Sequence, residues 1–375
     1  MFCIFLFTAM LPSFTANNQK NDIVSVVGTK TGAYHTYQEM TDLLIQLQEN
    51  YSDIMKLESQ GTTYEGRTIW AVKLSDNVEV DETSEPGVLF LGAHHGNEKP
   101  SFETLIFFIQ YLVETYYKEN TDNDLDGYVN EDPIDGIDND QDGDVDEDPS
   151  EDRVRDALNN TEIFVMPMVN PDGVEVDTRK NCAPNYGSFG LRKEITSYGV
   201  DLNRNYAYKW FLYRIFPRGY HYLYMINDEG FNYRGEQPFS ENETLAVKNL
   251  VEAHDNIKVS LSFHSYGEFI LFPWTHTSKD TPDEDLFISV GENITQINGF
   301  YLYTGNRDYI IPRYTGSLGT SENWLYGEKG ILSYTVELCE TRAPTDPEII
   351  FEYCKIHVGV NLYVAERSPT IETRI

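Results

Sequence analysis

Short apolar runs separated by polar stretches recur along the chain and predict its strands. The clearest runs are rich in β-branched and aromatic residues, as expected for strands that are buried on both faces. They lie at Val88–Leu91, Ile163–Met166, Val259–Phe263 and Leu332–Val336. A strand pair, Met55–Ser59 and Ile69–Leu74, is predicted ahead of them.

Helical spacing of apolar residues fills the intervals between these runs. Met40, Leu43, Leu44 and Leu47 recur with the period of a helix, which predicts a helix over residues 35–50. Further helices are predicted at Phe102–Tyr117, Glu241–His254, Asp283–Asn298 and Pro347–Glu366. Strands that alternate with helices of this length indicate an α/β fold. We find no second core and no long linker, so we expect a single domain.

The charge of the chain is strongly acidic and is concentrated in one place. Its 375 residues include 28 Lys and Arg against 61 Asp and Glu, a net charge of −33. Fifteen of the carboxylates fall between Asp122 and Asp152. Because phosphate binding requires a basic surface, nucleic acid is excluded as an expected partner. The concentration of carboxylates in one segment indicates a cation-binding site.

The N-terminal residues predict export. Met1–Leu11 is an apolar run of the length found in signal peptides and too short to span a bilayer, so residues 1–16 are interpreted as a signal peptide of a secreted protein. A buried N-terminal strand is the alternative. No later segment is apolar enough for a membrane helix, and no membrane association is expected. The stretch before Tyr34 is short, so no inhibitory prodomain is expected.

Cysteine usage is too sparse for a disulfide scaffold. If Cys3 leaves with the signal peptide, three cysteines remain and form at most one bridge. Cys339 and Cys354 are the simplest pair to imagine, but the sequence leaves the pairing of Cys182, Cys339 and Cys354 open.

Candidate metal ligands follow two of the predicted strands. His95-Gly-Asn-Glu98 comes directly after Val88–Leu91, and His264 ends the run at Val259–Phe263. Loops at the carboxyl edge of such a sheet are where functional sites collect. Two histidines and one glutamate form a recognised catalytic zinc set, with a fourth position left open for water. His94 is an alternative ligand, and a histidine that lies near a glutamate in a surface loop by chance is the ordinary alternative.

The acidic segment contains a repeat that is typical of calcium binding. Asp122, Asp124 and Asp126 precede one glycine, and Asp138, Asp140 and Asp142 precede another, 16 residues later. Alternating carboxylates ahead of a glycine can present several oxygens to Ca²⁺ from one loop. No helical periodicity flanks them, so they resemble the calcium repeats of dockerins and thrombospondins more than an EF-hand. Residues 121–152 are interpreted as a calcium-binding insertion with a structural role. A solvated acidic loop is the alternative.

Several motifs in order resemble the zinc carboxypeptidase family of the funnelin type. They are Tyr34-His-Thr-Tyr37, His95-x-x-Glu98, Asn170-Pro-Asp-Gly173, Val200-Asp-Leu-Asn203-Arg204-Asn205, Tyr233-Arg-Gly-Glu236, His264-Ser-Tyr266 and Ser333-Tyr-Thr-Val-Glu337. The resemblance covers nearly all of the chain outside the insertion. It implies a catalytic domain over residues 34–368, built on a mixed, twisted β-sheet with helices on both faces.

The resemblance also implies roles for individual residues. His95, Glu98 and His264 would bind one Zn²⁺, with Glu337 as general base. Arg179 would stabilise the oxyanion. Asn203 and Arg204 would bind the free carboxylate of the substrate, because a guanidinium fork suits a carboxylate.

Two further assignments set substrate recognition. Tyr314 would be the family's mobile tyrosine, if one residue is inserted before Trp324. Glu322 stands at the position of the side-chain selector and would favour C-terminal Lys or Arg, the alternative being a Glu322 that faces solvent. Digestive members of this family have an arginine directly before the zinc-binding glutamate, where this chain has Asn97. Contacts with substrate residues upstream of the cleaved bond are therefore expected to be weaker.

The resulting interpretation is a secreted, monomeric zinc metallocarboxypeptidase that acts on the C-termini of peptides and proteins. Two alternatives stay open. One is a zinc amidase, deacylase or peptidoglycan peptidase of the same fold. The other is a calcium-dependent binding protein on an inactive scaffold, against which the presence of Glu337 and Arg179 argues.

Overall fold

The computed structural model describes residues 34–118, 151–181, 199–214, 232–304 and 317–375. The predicted signal peptide, the six candidate calcium-binding aspartates, Cys182 and Tyr314 lie outside these residues. Within them, no helix combines the length and the apolar character needed to cross a membrane.

One eight-stranded mixed sheet forms the centre of the protein. Its strands are β1 (Met55–Thr62), β2 (Thr68–Leu74), β3 (Gly87–Leu91), β4 (Glu162–Met166), β5 (Ile257–Ser265), β6 (Phe269–Phe272), β7 (Tyr301–Thr304) and β8 (Leu332–Leu338). Their order across the sheet is β1-β2-β4-β3-β5-β8-β6-β7. The central strands β4, β3, β5 and β8 are parallel, so their carboxyl ends meet at one edge. The outer pairs β1–β2, β2–β4 and β6–β8 are antiparallel.

Helices cover both faces of this sheet. They are α1 (Tyr37–Asn50), α2 (Pro100–Thr115), α3 (Glu151–Asn160), α4 (Pro171–Glu175), α5 (Asn242–Ala253), α6 (Glu284–Asn298), α7 (Ser321–Lys329) and α8 (Pro347–Arg367). Short 3₁₀ turns occur at Leu202–Arg204, Trp210–Arg214 and Ser368–Thr370. Helix α1 begins at a capping box in which Thr36 and Glu39 exchange hydrogen bonds.

Strand β3 shows why the sheet is internal. All five of its residues are buried. Val88 and Phe90 belong to the larger core, together with residues of α1, α2, α6 and α8, whereas Leu89 and Leu91 belong to a second core with residues of α5 and α7. Because successive side chains of a strand point to opposite faces, a continuous apolar run is what a strand with helices on both sides requires. The predicted α/β fold is confirmed.

The structure corrects the sequence analysis at several points. Helices α3, α4 and α7 and strands β6 and β7 were not predicted. Helix α3 begins at Glu151, so the predicted insertion at 121–152 overlaps the first two residues of a helix. Cys339 and Cys354 are both buried and free.

A partly buried ion pair connects the N-terminal side of α1 to α2. His35 Nδ1 lies 2.8 Å from Glu103 Oε1, and the His35 backbone amide donates to Glu103 Oε2 at 3.0 Å. Burial disfavours the imidazolium, but the hydrogen bond and the charge of Glu103 outweigh burial and raise the pKa of His35 above its usual 6.5.

This pair predicts a pH-dependent contribution to stability. A folded-state pKa above the unfolded value means that the contribution is complete below pH 6.5 and is lost as the pH rises through the folded pKa. We expect the free energy of unfolding to fall over that window, with a slope from this group of at most about 1.4 kcal/mol per pH unit. His35→Asn should remove this component. Denaturant unfolding of both proteins at several pH values measures it, and parallel stability curves would contradict the prediction.

Candidate active site

Three buried side chains converge at the carboxyl edge of the parallel strands. His95 and Glu98 lie in the loop after β3, and His264 lies near the end of β5. His95 Nδ1 is 2.9 Å from Glu98 Oε1, His264 Nδ1 is 2.8 Å from Glu98 Oε2, and the two Nδ1 atoms are 3.1 Å apart. The adjacent parallel strands therefore bring the predicted ligand set together.

These three side chains fit a zinc ion. In a tetrahedral site with metal–ligand bonds of about 2.0–2.1 Å, ligand atoms lie roughly 3.3 Å apart. The observed separations of 2.8–3.1 Å are close to this value. Imidazole nitrogens and a carboxylate are also the donors that zinc takes in catalytic sites. His94, the alternative ligand, does not belong to this group of converging atoms.

The loop that carries the ligands is held by close backbone packing. A Cβ atom on Gly96 would lie 2.0 Å from the carbonyl carbon of Gly173, so this position accepts only glycine. Asn170 Nδ2 donates to the carbonyl oxygen of His94 at 3.2 Å, while Asn170 Oδ1 accepts from the Gly173 amide. The turn after β4 thereby supports the loop after β3.

Asp201 orients both a candidate ligand and a cation, and the sequence analysis assigned it no role. His95 Nε2 lies 3.1 Å from Asp201 Oδ1, and Arg179 Nε donates to Asp201 Oδ2 at 3.0 Å. Burial opposes the charge of Asp201, but Arg179 and His95 outweigh it and hold the pKa of Asp201 well below its usual range. A carboxylate behind a metal-binding histidine fixes the ring and strengthens the ligand. The sequence signal that could have identified Asp201 was its position inside the motif Val200-Asp-Leu-Asn203.

Arg179, which Asp201 holds in place, also contacts the candidate metal ligands. Its Nη1 lies 3.2 Å from His95 Nδ1 and 3.4 Å from Glu98 Oε1. The guanidinium is therefore held beside the candidate metal ligands.

Glu337 lies on β8 directly beside His264 on β5, since the two residues are paired in the register of the sheet. Its side chain is half-buried. Burial and the charge of Glu98 raise the pKa of Glu337 well above its ordinary value, while Arg179 and Arg204 act in the opposite direction. A cation bound by Glu98 would add to that opposing effect.

Asn203 and Arg204 lie in the 3₁₀ turn that follows Asp201. Asn203 Nδ2 is 3.3 Å from His264 Nε2, and Asn203 Oδ1 accepts from the Ser321 amide at 2.8 Å. Arg204 Nη1 donates to the Asn203 carbonyl oxygen. Arg204 Nε is buried and has no hydrogen-bond partner among the described residues. This guanidinium has donor capacity to spare beside the metal site.

Glu322 is buried in the first turn of α7, with a relative exposure of 2%, so it does not face solvent. Thr275 Oγ1 lies 3.1 Å from Glu322 Oε1, whereas Glu322 Oε2 has no partner in the described parts of the chain. Burial raises the pKa of Glu322. Thr275, which the sequence analysis did not single out, holds one oxygen of this carboxyl group.

A central mixed sheet with two imidazoles and a carboxylate at its parallel edge defines the protein as an α/β protein with a candidate site for a metal ion. A protein-family model described as "Zinc carboxypeptidase" matches residues 40–355. The chain therefore belongs to the zinc carboxypeptidase family.

Curated relatives agree with this assignment. The chain is 30% identical over 319 residues to a zinc carboxypeptidase of Saccharothrix mutabilis subsp. capreolus, an alignment that covers 81% of this chain and 62% of the relative. It is 26% identical over 329 residues to carboxypeptidase B of Astacus astacus, covering 82% and 87%. The chain thus spans less than two thirds of the bacterial relative and most of the crayfish relative.

Solved structures show the same fold. Bovine thrombin-activatable fibrinolysis inhibitor, in complex with tick carboxypeptidase inhibitor, superposes with a TM-score of 0.66 at 20% identity, covering 89% of this chain and 97% of that one. Carboxypeptidase A of Helicoverpa armigera gives a TM-score of 0.65 at 19% identity, covering 92% and 79%.

Proposed function

We propose that this protein is a zinc carboxypeptidase that hydrolyses the last peptide bond of peptides with a free C-terminal carboxylate. The observation that carries the proposal is Arg204. Its buried Nε has no partner among the described residues, and it lies in the same turn as Asn203, which contacts His264. Burying an unsatisfied donor is costly unless a ligand completes it. A substrate carboxylate would do so with charge-assisted hydrogen bonds.

The proposed mechanism assigns one task to each group. Zinc held by His95, Glu98 and His264 would act as a Lewis acid and activate water for attack at neutral pH. Glu337 accepts the proton of the attacking water and returns it to the leaving amine. Arg179, oriented by Asp201, donates to the oxygen on which negative charge develops. Asn203 and Arg204 hold the terminal carboxylate, which restricts cleavage to the last bond.

The function is tested by hydrolysis of blocked dipeptides that end in free Arg, Phe or Glu, beside a C-terminal amide of the Arg peptide. We expect the free acids to be hydrolysed much faster than the amide. A zinc chelator should abolish activity, and added Zn²⁺ should restore it. Absence of cleavage by protein shown to contain zinc would overturn the proposal and favour an amidase or a binding protein.

Glu322 is proposed to select basic C-terminal side chains. Its unpartnered, buried Oε2 would accept from a Lys or Arg side chain, whereas a neutral side chain leaves it unsatisfied. Glu322→Gln is expected to lower the ratio of kcat/KM for Arg over Phe substrates by at least about 2 kcal/mol, or roughly 30-fold. Steady-state kinetics on the paired dipeptides measures the ratio.

Glu348→Gln is the matched control for this substitution, because it removes an equal charge from an exposed residue at the start of α8. The control should keep the parent preference. A Glu322→Gln enzyme that still prefers Arg to the same extent would remove Glu322 from the role of selector.

Two further proposals rest on the sequence alone. The apolar residues 1–11 support secretion through a signal peptide, which N-terminal sequencing of exported protein would test. Calcium binding by the aspartates of the acidic insertion stays a structural proposal, testable by calorimetric titration.

A further inference from the structure

A chain of buried polar side chains extends from the rear of His264 into the protein. The Nδ1 atom of His264 faces the other candidate ligands, so its Nε2 atom points away from the metal position. Nε2 lies 3.3 Å from Ser262 Oγ. Ser262 Oγ lies 3.2 Å from His94 Nδ1, and His94 Nε2 lies 2.7 Å from the Tyr206 hydroxyl. All four side chains have relative exposures of 1% or less.

When a metal is bound, the neighbouring hydrogen bonds determine which atom donates and which accepts at each step of this hydrogen-bond chain. A histidine that binds a metal through Nδ1 carries its proton on Nε2 and needs an acceptor there. Asn203 cannot accept it, because its Oδ1 already accepts from Ser321 and its Nδ2 faces His264 as a donor. Ser262 Oγ is the acceptor that the described residues offer.

The donor at Ser262 then determines the donors and acceptors at His94 and Tyr206. Having accepted from His264, the Ser262 hydroxyl donates its own proton to His94 Nδ1. Neutral His94 must therefore carry its proton on Nε2, from which it donates to the Tyr206 oxygen. His94 is completely buried, which disfavours a charged ring.

Without a metal the same atoms support the opposite direction. The Tyr206 hydroxyl can donate to His94 Nε2, His94 Nδ1–H to Ser262, and the Ser262 hydroxyl to His264 Nε2. His264 then carries its proton on Nδ1 and donates to Glu98 Oε2, which lies 2.8 Å away. In the metal-free direction every donor among these four side chains meets an acceptor.

We propose that Ser262, His94 and Tyr206 are positioning residues that select the metal-binding tautomer of His264, and that metal binding reverses the hydrogen-bond chain and switches the tautomer of His94. The two candidate histidine ligands are thus oriented differently. His95 is held by the charge of Asp201, whereas His264 is held by a neutral chain. A neutral chain adds no further negative charge to a buried site that already holds Glu98 and Asp201.

Ser262→Val and Ser262→Thr form the matched pair that tests the proposal. Both add a methyl group, but only threonine keeps the hydroxyl. Zinc affinity is measured by competition with a chromophoric chelator. We expect Ser262→Val to bind zinc about 10–100-fold more weakly than Ser262→Thr. Equal affinities would overturn the positioning role. If Ser262→Val does not fold, Tyr206→Phe replaces it against the parent protein, with a loss in the same direction expected and unchanged affinity counting against the proposal.

The tautomer switch has a spectroscopic signature that a purely structural role would not move. In protein labelled with ¹⁵N-histidine, long-range proton–nitrogen correlations report which ring nitrogen carries the proton. The signals of His94 are assigned by their loss in His94→Gln. We expect the His94 proton on Nδ1 in zinc-free protein and on Nε2 after zinc is added. The same tautomer in both states would overturn the switch.

Discussion

Glu337→Gln is expected to lower kcat by about 10²- to 10⁴-fold, the usual contribution of a positioned general base. Glutamine keeps the shape of the side chain and its place beside His264 in the sheet, but it cannot take a proton from water. Glu337 does not belong to the converging ligand atoms, so zinc content should stay at the parent level. KM should change little, because the substitution leaves the proposed carboxylate-binding residues, Asn203 and Arg204, intact.

The measurement is kcat and KM on a blocked dipeptide with a free C-terminal Arg, together with zinc content by atomic spectroscopy. Glu340→Gln is the matched control, since Glu340 is exposed three residues further along the chain and should retain full activity. A Glu337→Gln enzyme with full zinc and more than about a tenth of the parent kcat would show that Glu337 is not the base.

The central strands could be predicted because burial on both faces leaves a visible pattern. The apolar runs at Val88–Leu91 and Ile163–Met166 match β3 and β4 to within one residue at either end. Once their parallel order is known, the carboxyl edge follows, and with it the position of the loop that carries His95 and Glu98.

The peripheral elements could not be predicted because their sequences carry little periodicity. Strands β6 and β7 contain only four residues each, too few to distinguish alternation from a short apolar run. Helix α7 contains Gly327, which weakens a helix, and its length is fixed by a left-handed Gly330 at its end. Helix α3 is highly polar, and its first two residues were included in the predicted acidic insertion.

The side chains behind the metal site were missed for a different reason. Asp201 and Ser262 act through other residues, and their partners lie 106 and 168 positions away along the chain, at His95 and His94. Apart from the position of Asp201 inside a family motif, no local pattern indicates these contacts. The metal ligands themselves were predicted from the order of family motifs, since a lone His-x-x-Glu is common by chance.

Arg204→Met is expected to remove recognition of the free C-terminal carboxylate. The substitution keeps a long side chain but deletes the guanidinium, whose buried Nε is available for a ligand. We expect kcat/KM for free-acid dipeptides to fall by about 2–5 kcal/mol, or roughly 30- to 4,000-fold. Arg204→Lys keeps the charge but not the planar fork, so it should fall between the parent and Arg204→Met. Arg342→Met, an exposed arginine near the end of β8, should match the parent.

The ratio of free-acid to amide hydrolysis tests whether Arg204 binds the C-terminal carboxylate of the substrate. Loss of a carboxylate contact lowers hydrolysis of the acid and leaves the amide unchanged, so the ratio should collapse toward one in Arg204→Met. A general loss of folding would lower both rates together, and circular dichroism with zinc content would reveal it. If both rates fall equally in folded, zinc-loaded protein, Arg204 does not bind the C-terminal carboxylate of the substrate. The metal site would then serve an amidase or a deacylase.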